Sequence, residues 1–341
     1  MSEQVDVIKK PFYVQWHITS RCNLHCEHCY QRNTSLISEL DEANLQKIAD
    51  KLDDMAAANN LKLAVSITGG EPFFRKDVIF KLLSYLQNKE HIDALQILSN
   101  GLLLGEEEVV ALKKIKKLKG LQVSLESPDK AIHDQIRGKG NFEKVVEKIA
   151  FLKEHGIKIS VMMTISRLNY KQIAEMNELL KKLKVDVFGV DRFIPETKSD
   201  FDKSALRPEE IKEAFQTLHD LSQTQQSPRI SLNRPLYCLT GEKGTCGARC
   251  SAATSSFAIL PDGRMLPCRR LPIPIGNVLK DDIVKIWNTS PVLTALRDVS
   301  KLTGKCQNCE YVKQCKGCRA SAYAVYGDFM KEDPFCWKEN K

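Results

Sequence analysis

Residues 12–29 read FYVQWHITSRCNLHCEHC, an apolar β-rich run that passes within three residues into Cys22, Cys26 and Cys29. Aromatic and β-branched residues make 12–18 a strand, and the cysteines then sit on the loop at its C-terminal end. Three thiolates at x3 and x2 spacing can hold three irons of a [4Fe–4S] cube and leave the fourth open to a ligand that is not a side chain. A zinc knot completed by His25 or His28 is the competing reading. It lacks the usual second pair, because the next cysteine, Cys238, is more than 200 residues away.

The same strand opens a series. LKLAVSIT (61–68), ALQILS (94–99), LQVSLE (121–126), IKISVMMTI (157–165) and VDVFGVD (185–191) are further strand candidates. Helical segments are expected near 41–58, 76–89, 106–117, 142–155 and 170–183, with Asp41 and Asn141 as N-caps. Leu45, Ile48, Ala49, Leu52 and Met55 show the 3.6-residue period. Six β–α repeats imply parallel strands with crossover helices. The sheet is then either a barrel, incomplete or closed, or an open doubly wound sheet, with functional loops at the strands' C-terminal ends.

A helix near 208–224, opened by Pro208, and the polar stretch SQTQQSPRI read as a linker covering 206–236. Beyond it the chain is rich in Cys, Gly and Pro. FAILPDGRMLPC (257–268) reads as a hairpin turning at Pro261–Asp262–Gly263, and a helix is expected near 281–298. Such a segment buries little core and needs metal sites to hold it.

The 341 residues suffice for one large and one small domain. No run of about 18 apolar residues suggests a membrane span, and the first residues lack the apolar core of a secretory signal. A cytoplasmic protein is expected. The net charge of +8 reflects lysines spread over helix faces, as in VVALKKIKKLKG (109–120), so nucleic acid is not expected as a partner. Of twelve cysteines, three lie at 22–29 and nine at 238–336. In a reducing compartment this clustering favours metal sites over disulfides. The second block contains Cys250-x12-Gly263-x4-Cys268, Cys306-x2-Cys309-x5-Cys315-x2-Cys318 and Cys336. Taken alone, 306–318 reads equally well as a zinc ribbon.

The triplet resembles the signature of the radical S-adenosylmethionine superfamily, and three further pieces fall in the family's order. These are SITGGEP (66–72), LSNG (98–101) and SLES (124–127), each at a strand end. The resemblance covers roughly 12–195. It implies a partial (β/α)6 TIM-type barrel, preceded by a tail at 1–11. It also implies S-adenosylmethionine contacts from Tyr30, from the turn Gly69, Gly70, Glu71 and Pro72, from Ser99, Asn100 and Ser124, and from Arg137. SLES stands where many relatives carry SLDG, with Glu126 in place of the aspartate. The activity implied is reductive cleavage of S-adenosylmethionine to a 5′-deoxyadenosyl radical that abstracts a substrate hydrogen.

The second block is similar to the SPASM extension of this superfamily, placed here at 237–341. That resemblance implies two auxiliary [4Fe–4S] clusters. One takes Cys250, Cys268 and Cys318 with Cys246, or failing that Cys238. The other takes Cys306, Cys309, Cys315 and Cys336. Eleven of the twelve cysteines are then used, leaving Cys238 spare.

Extended members of this kind mostly mature peptides, through crosslinks or thioether-type bonds, and some act on small molecules such as haem precursors. About eleven residues precede the first strand, so a peptide would dock directly or through a separate recognition protein. Arg269 and Arg270 follow Cys268 where sulfatase-modifying relatives carry an aspartate. This argues against that reaction, and the arginines would suit carboxylates. CRASAYAVYGDFMKEDPFCW (318–337) resembles the tails of both peptide maturases and haem-precursor enzymes. A flavodoxin or ferredoxin is the expected reductant. Glu126, Asp191 and Arg192 are strand-end candidates for proton transfer, with structural ion pairing as the alternative.

Overall fold

In the computed structural model, residues 11–31, 37–195, 201, 203–240 and 249–339 are described. One sheet organises them. Six parallel strands are β1 (Phe12–His17), β2 (Leu63–Thr68), β3 (Ile92–Ser99), β4 (Leu118–Ser124), β5 (Ile159–Ile165) and β6 (Val187–Arg192). They pair in sequence order, β1 to β6. Between them run α1 (Glu42–Ala58), α2 (Lys76–Leu86), α3 (Glu106–Lys113), α4 (Lys130–Arg137), α5 (Asn141–Glu154) and α6 (Ile173–Lys182). The result is an α/β partial barrel. β1 and β6 do not pair with each other, and each is flanked instead by a strand from later in the chain.

Strand parity sorts the chemistry of the two faces. On β1, Phe12, Val14 and Trp16 join the apolar core, together with Leu45, Ile48 and Leu52 of α1. Tyr13, Gln15 and His17 take the opposite face. The polar lining continues across neighbouring strands. Ser66 Oγ lies 3.3 Å from Gln96 Oε1, and Gln96 Nε2 lies 3.5 Å from Ser160 Oγ.

Several expected boundaries are corrected. The stretch 206–236 holds α7 (Pro208–Thr224) as expected, but it also contributes β7 (Arg229–Ser231), which extends the sheet beside β6. Asn141 is the first residue of α5, and Gly140 is its N-cap. Asp134 of α4 supplies the capping carboxylate, taking the amides of Gly140, Asn141 and Phe142 at 2.7, 3.1 and 2.9 Å. The helix expected at 281–298 is two, α8 (Ile283–Thr289) and α9 (Pro291–Arg297). Pro291 cannot donate to the preceding turn and so starts a new helix.

The hairpin forms as expected, as β8 (Ser256–Ile259) and β9 (Arg264–Leu266), with Gly263 at φ +83°. Its first strand lies parallel to β1, Tyr13 opposite Ser256 and Trp16 opposite Ile259. The cysteine-rich segment is thus part of the same sheet as the barrel. A short β10 (Gly276–Asn277) completes the edge.

Candidate active site

The loop carrying the first three cysteines is fixed from below. Glu39 takes Arg21 Nε and Nη2 at 3.0 and 2.8 Å and also accepts from the Thr19 hydroxyl. The Gly69–Gly70 turn packs on the same lead-in. Gly70 N donates to Thr19 O at 2.9 Å and Glu71 N to Arg21 O at 2.8 Å. A Cβ on Gly69 would stand 2.6 Å from Thr19 O, and one on Gly70 2.3 Å from Arg21 O. These glycines are therefore required by close approach to the chain's own backbone, in addition to any ligand. Pro72 opens the short 3₁₀ turn that follows.

Backbone amides point at the sulfurs. Leu24 N donates to Cys22 Sγ and Gln31 N to Cys29 Sγ, both at 3.4 Å, and Arg137 Nη1 lies 3.9 Å from Cys26 Sγ. Burial pushes the Cys22 thiol up to about 11 and raises that of Cys26. In the metal-free chain these groups are thiols, and binding a cluster releases their protons. Among the described residues, no three His, Cys, Asp or Glu groups converge tightly enough for a single metal ion. The donor set, three thiols met by amides and a guanidinium, suits a cluster with thiolates on separate corners.

Glu71 and Glu126 act as internal braces. Glu71 accepts from Ser99 Oγ (2.9 Å), Asn100 N (2.7 Å) and Phe73 N (3.1 Å). Burial outweighs these bonds and raises its pKa to about 7. Asn100 Nδ2 continues to Asn23 Oδ1 at 2.8 Å, tying the third strand end to the cysteine loop. Glu126, with no exposed surface, takes Arg137 Nε and Nη2 on Oε1 at 2.8 and 2.6 Å and the Thr164 amide on Oε2 at 2.7 Å. His28 Nε2 lies 3.4 Å from the same carboxylate, while His25 is exposed. Arg137 thus spends one edge on Glu126 and keeps Nη1 on the cysteine side. Ser124 ends β4, half-buried, opposite Met162. A cleft beside this group is lined by Glu27, His28, Ile136, Thr164, Ser166 and Phe193.

The described cysteines of the second block fall in two neighbourhoods. Burial, with Cys318 nearby, raises the thiol pKa of Cys250, and burial, with Cys318 and Cys250 nearby, raises that of Cys268 to about 11. Cys246 lies outside the described residues. Cys306, Cys309, Cys315 and Cys336 line one cavity. Leu236 N and Gly317 N donate to Cys315 Sγ, each at 3.3 Å. Cys238, the alternative to Cys246, is buried against Cys315 of the second set.

The remaining acid and base candidates are in ion pairs. Asp191 pairs with Arg270 and, at 3.1 Å, with Arg234. Arg192 pairs at 3.2 Å with Asp333, whose Oδ2 also takes Cys318 N at 2.8 Å. These bonds join β6 to the tail. Asp333 had no signal in the sequence beyond its place near Cys336. His17, Glu39 and Tyr237 were likewise unmarked.

A chain with three thiols at the end of β1, a Gly-Gly-Glu-Pro turn braced against them and two further thiol sets is a radical S-adenosylmethionine enzyme. Residues 16–180 match the radical SAM superfamily, and residues 250–319 match SPASM, an iron–sulfur cluster-binding domain. Its cofactors are S-adenosylmethionine, a [4Fe–4S] cluster and auxiliary clusters.

Among particular proteins, the AdoMet-dependent heme synthase of Methanosarcina barkeri is 29% identical, with 96% of each chain covered. The antilisterial bacteriocin subtilosin biosynthesis protein AlbA of Bacillus subtilis is 28% identical over 90% of this chain and 67% of its own. The Streptococcus suis SuiB structure bound to S-adenosylmethionine superposes with a TM-score of 0.77 at 20% identity, covering 96% of this chain and 77% of that one. Among the described residues, no helix is long and apolar enough to cross a membrane.

Proposed function

We propose that this enzyme oxidatively modifies a ribosomally made peptide, forming a crosslink or thioether-type bond. The supporting observation is that the two cysteine sets meet at one place, where Tyr30, next to Cys29, lies against Arg269 and near Arg270, which follow Cys268. A substrate seated there lies between the two cysteine sets, with a route for an electron to leave once a hydrogen atom is gone. The likeness to AlbA, named for subtilosin biosynthesis, and the SuiB fold solved with its precursor peptide SuiA support a peptide.

In this reading Cys22, Cys26 and Cys29 hold the first cluster. The backbone of Gly69–Pro72, braced by Glu71 on Ser99 and Asn100, faces the methionine end of S-adenosylmethionine. Arg137 Nη1 offers that ligand a charged donor, and Ser124 and Tyr30 complete its surroundings. When bound, cluster and S-adenosylmethionine together supply a carbon radical able to take a hydrogen atom. Cys250, Cys268 and Cys318, with Cys246 as the fourth, hold one auxiliary cluster, and Cys306, Cys309, Cys315 and Cys336 hold the other. We place the enzyme in the cytoplasm, with a flavodoxin or ferredoxin as reductant and a separate protein assisting peptide recognition.

A second reading, decarboxylation of haem-precursor propionates, is favoured by the heme synthase likeness over nearly the full length of both chains. Anaerobic turnover with S-adenosylmethionine and reductant, read by mass spectrometry, decides between them. A peptide product lighter by a pair of hydrogens is expected. A tetrapyrrole product that has lost carbon dioxide, with peptides untouched, would replace the first reading by the second.

A further inference from the structure

Among the described residues, most buried charge is met by an opposite charge or by backbone carbonyls. Asp191 neutralises Arg270 and Arg234, Asp333 takes Arg192 and Glu126 takes Arg137. Lys316 and Arg319, also buried and without a carboxylate partner, donate instead to the carbonyls of Leu296 and of Phe329 and Lys331. Arg269 makes no such contact among the described residues. It is 7% exposed, its Nε has no hydrogen-bond partner, and no carboxylate of the described residues lies within ion-pair distance of it. Its guanidinium carbon lies 4.9 Å from the ring centroid of Tyr30. That contact uses the face of the guanidinium and leaves its donor edges free.

Beside it is His17, 0% exposed, with no well-aligned hydrogen bond to either ring nitrogen and the Gly69 backbone as its nearest partner. It lies on the interior face of β1, with Tyr13 and Gln15. Burial first, and then the charge of Arg269, holds its pKa well below the ordinary value, so the ring is neutral and has one N–H to donate. A buried, unpaired cation next to a donor without a well-aligned partner is costly unless an anion arrives to complete it.

We propose that Arg269 and His17 bind a carboxylate of the substrate, on the Tyr30 ring, between the first cysteine triplet and Cys268. A planar carboxylate matches the free fork of Arg269, with the His17 N–H as third donor. The inference rests on the substrate position argued above and adds the chemical class of the group recognised. A peptide would supply it as an acidic side chain or chain terminus, and a tetrapyrrole as a propionate.

The test uses anaerobic holoenzyme with S-adenosylmethionine and two probe series, read by equilibrium binding. One series is synthetic peptides carrying glutamate and the same peptides carrying glutamine. The other is a propionate-bearing tetrapyrrole and its methyl ester. The acid member of whichever series binds should bind about tenfold or more tighter than its neutral counterpart. R269Q should abolish that preference, and R269K should retain part of it. Equal affinity of acid and neutral probes, undiminished preference in R269Q, or binding of neither series overturns the proposal. If R269Q fails to retain iron, the wild-type acid-to-neutral ratio and R269K decide.

The two readings fail separately. Modification of peptides without any acid preference removes the carboxylate site alone. Arg269-dependent binding of the tetrapyrrole series alone keeps the site and removes the peptide.

Discussion

Glu126 ends β4 with its carboxylate wholly enclosed. Burial alone would raise its pKa, but Arg137, then His28 and the Thr164 amide, bring it down to about 2. An acid whose pKa is depressed in the folded state stabilises that state above its unfolded value and ceases to do so as pH falls through the folded one. The metal-free chain should therefore lose this contribution between about pH 4.5 and pH 2. Glu126→Gln leaves Arg137 buried without a counter-charge and should cost roughly 3–5 kcal/mol at pH 7. Urea midpoints across pH check both points. A midpoint unchanged at pH 7 would show that the pair does not brace the fold. Gly70→Ala tests the neighbouring contact. Its Cβ would meet backbone, at 2.3 Å from Arg21 O, so the lead-in to the cysteine loop must shift. A destabilisation of about 1–3 kcal/mol is expected, with reduced iron retention after reconstitution. Unchanged iron content and midpoint would mean that the loop can yield. At this scale the sequence displayed the candidate ligands and hid the residues that support them. Cysteine spacing is local, whereas the unpaired state of Arg269 or the enclosure of Glu126 depends on which charges arrive from other strands.

Elements were legible in proportion to their length. The 17 residues of α1 repeat their apolar period often enough to show a helix, and Asp41 at its start accepts from Asn44 N at 2.9 Å. Asp41→Ala should lower stability by about 1 kcal/mol through the lost cap. Thermal or urea denaturation would measure it, and no change would mean that water replaces the bond at this exposed end. β7 has three residues, too few to show a period, and owes its form to a tertiary partner; α4, as long as α3, packs beside α5. β7 is held by pairing with β6. The same cause explains the expected cap at Asn141. Which carboxylate satisfies those amides was settled by Asp134, seven residues upstream and on another helix.

At the scale of the molecule, the cysteine-rich segment is stabilised in two different ways, and this gives a measurable division. β8 lies in the sheet against β1, and Phe257 and Ile259 belong to the same apolar core as Val14 and Trp16. Its hydrogen bonds and burial need no metal. The tail beyond about residue 304 sends Phe335 into the same core and packs Tyr311 and Trp337 against it, but among its described residues it adds only short helices and no strand to the sheet. It is held by Asp333 between Arg192 and the Cys318 amide, by Arg319 on the carbonyls of Phe329 and Lys331, and by the thiols lining its cavity. If clusters bind those thiols, removing iron takes away crosslinks in a segment that no strand pairing ties to the sheet. Hydrogen exchange of chelator-stripped protein should then leave the amides of β8 protected to nearly the same degree as those of β1–β3. The amides of 304–336 should exchange much faster than in the iron-loaded protein. Cys309→Ala, which removes one proposed ligand of the second auxiliary set, should loosen 304–336 alone and lower bound iron by about four atoms per chain. Should β8 open together with 304–336, the sheet would not be the anchor argued here. Should the tail stay protected without iron, Arg192–Asp333 and its neighbours would suffice to hold it, and the thiols would be free of any structural duty.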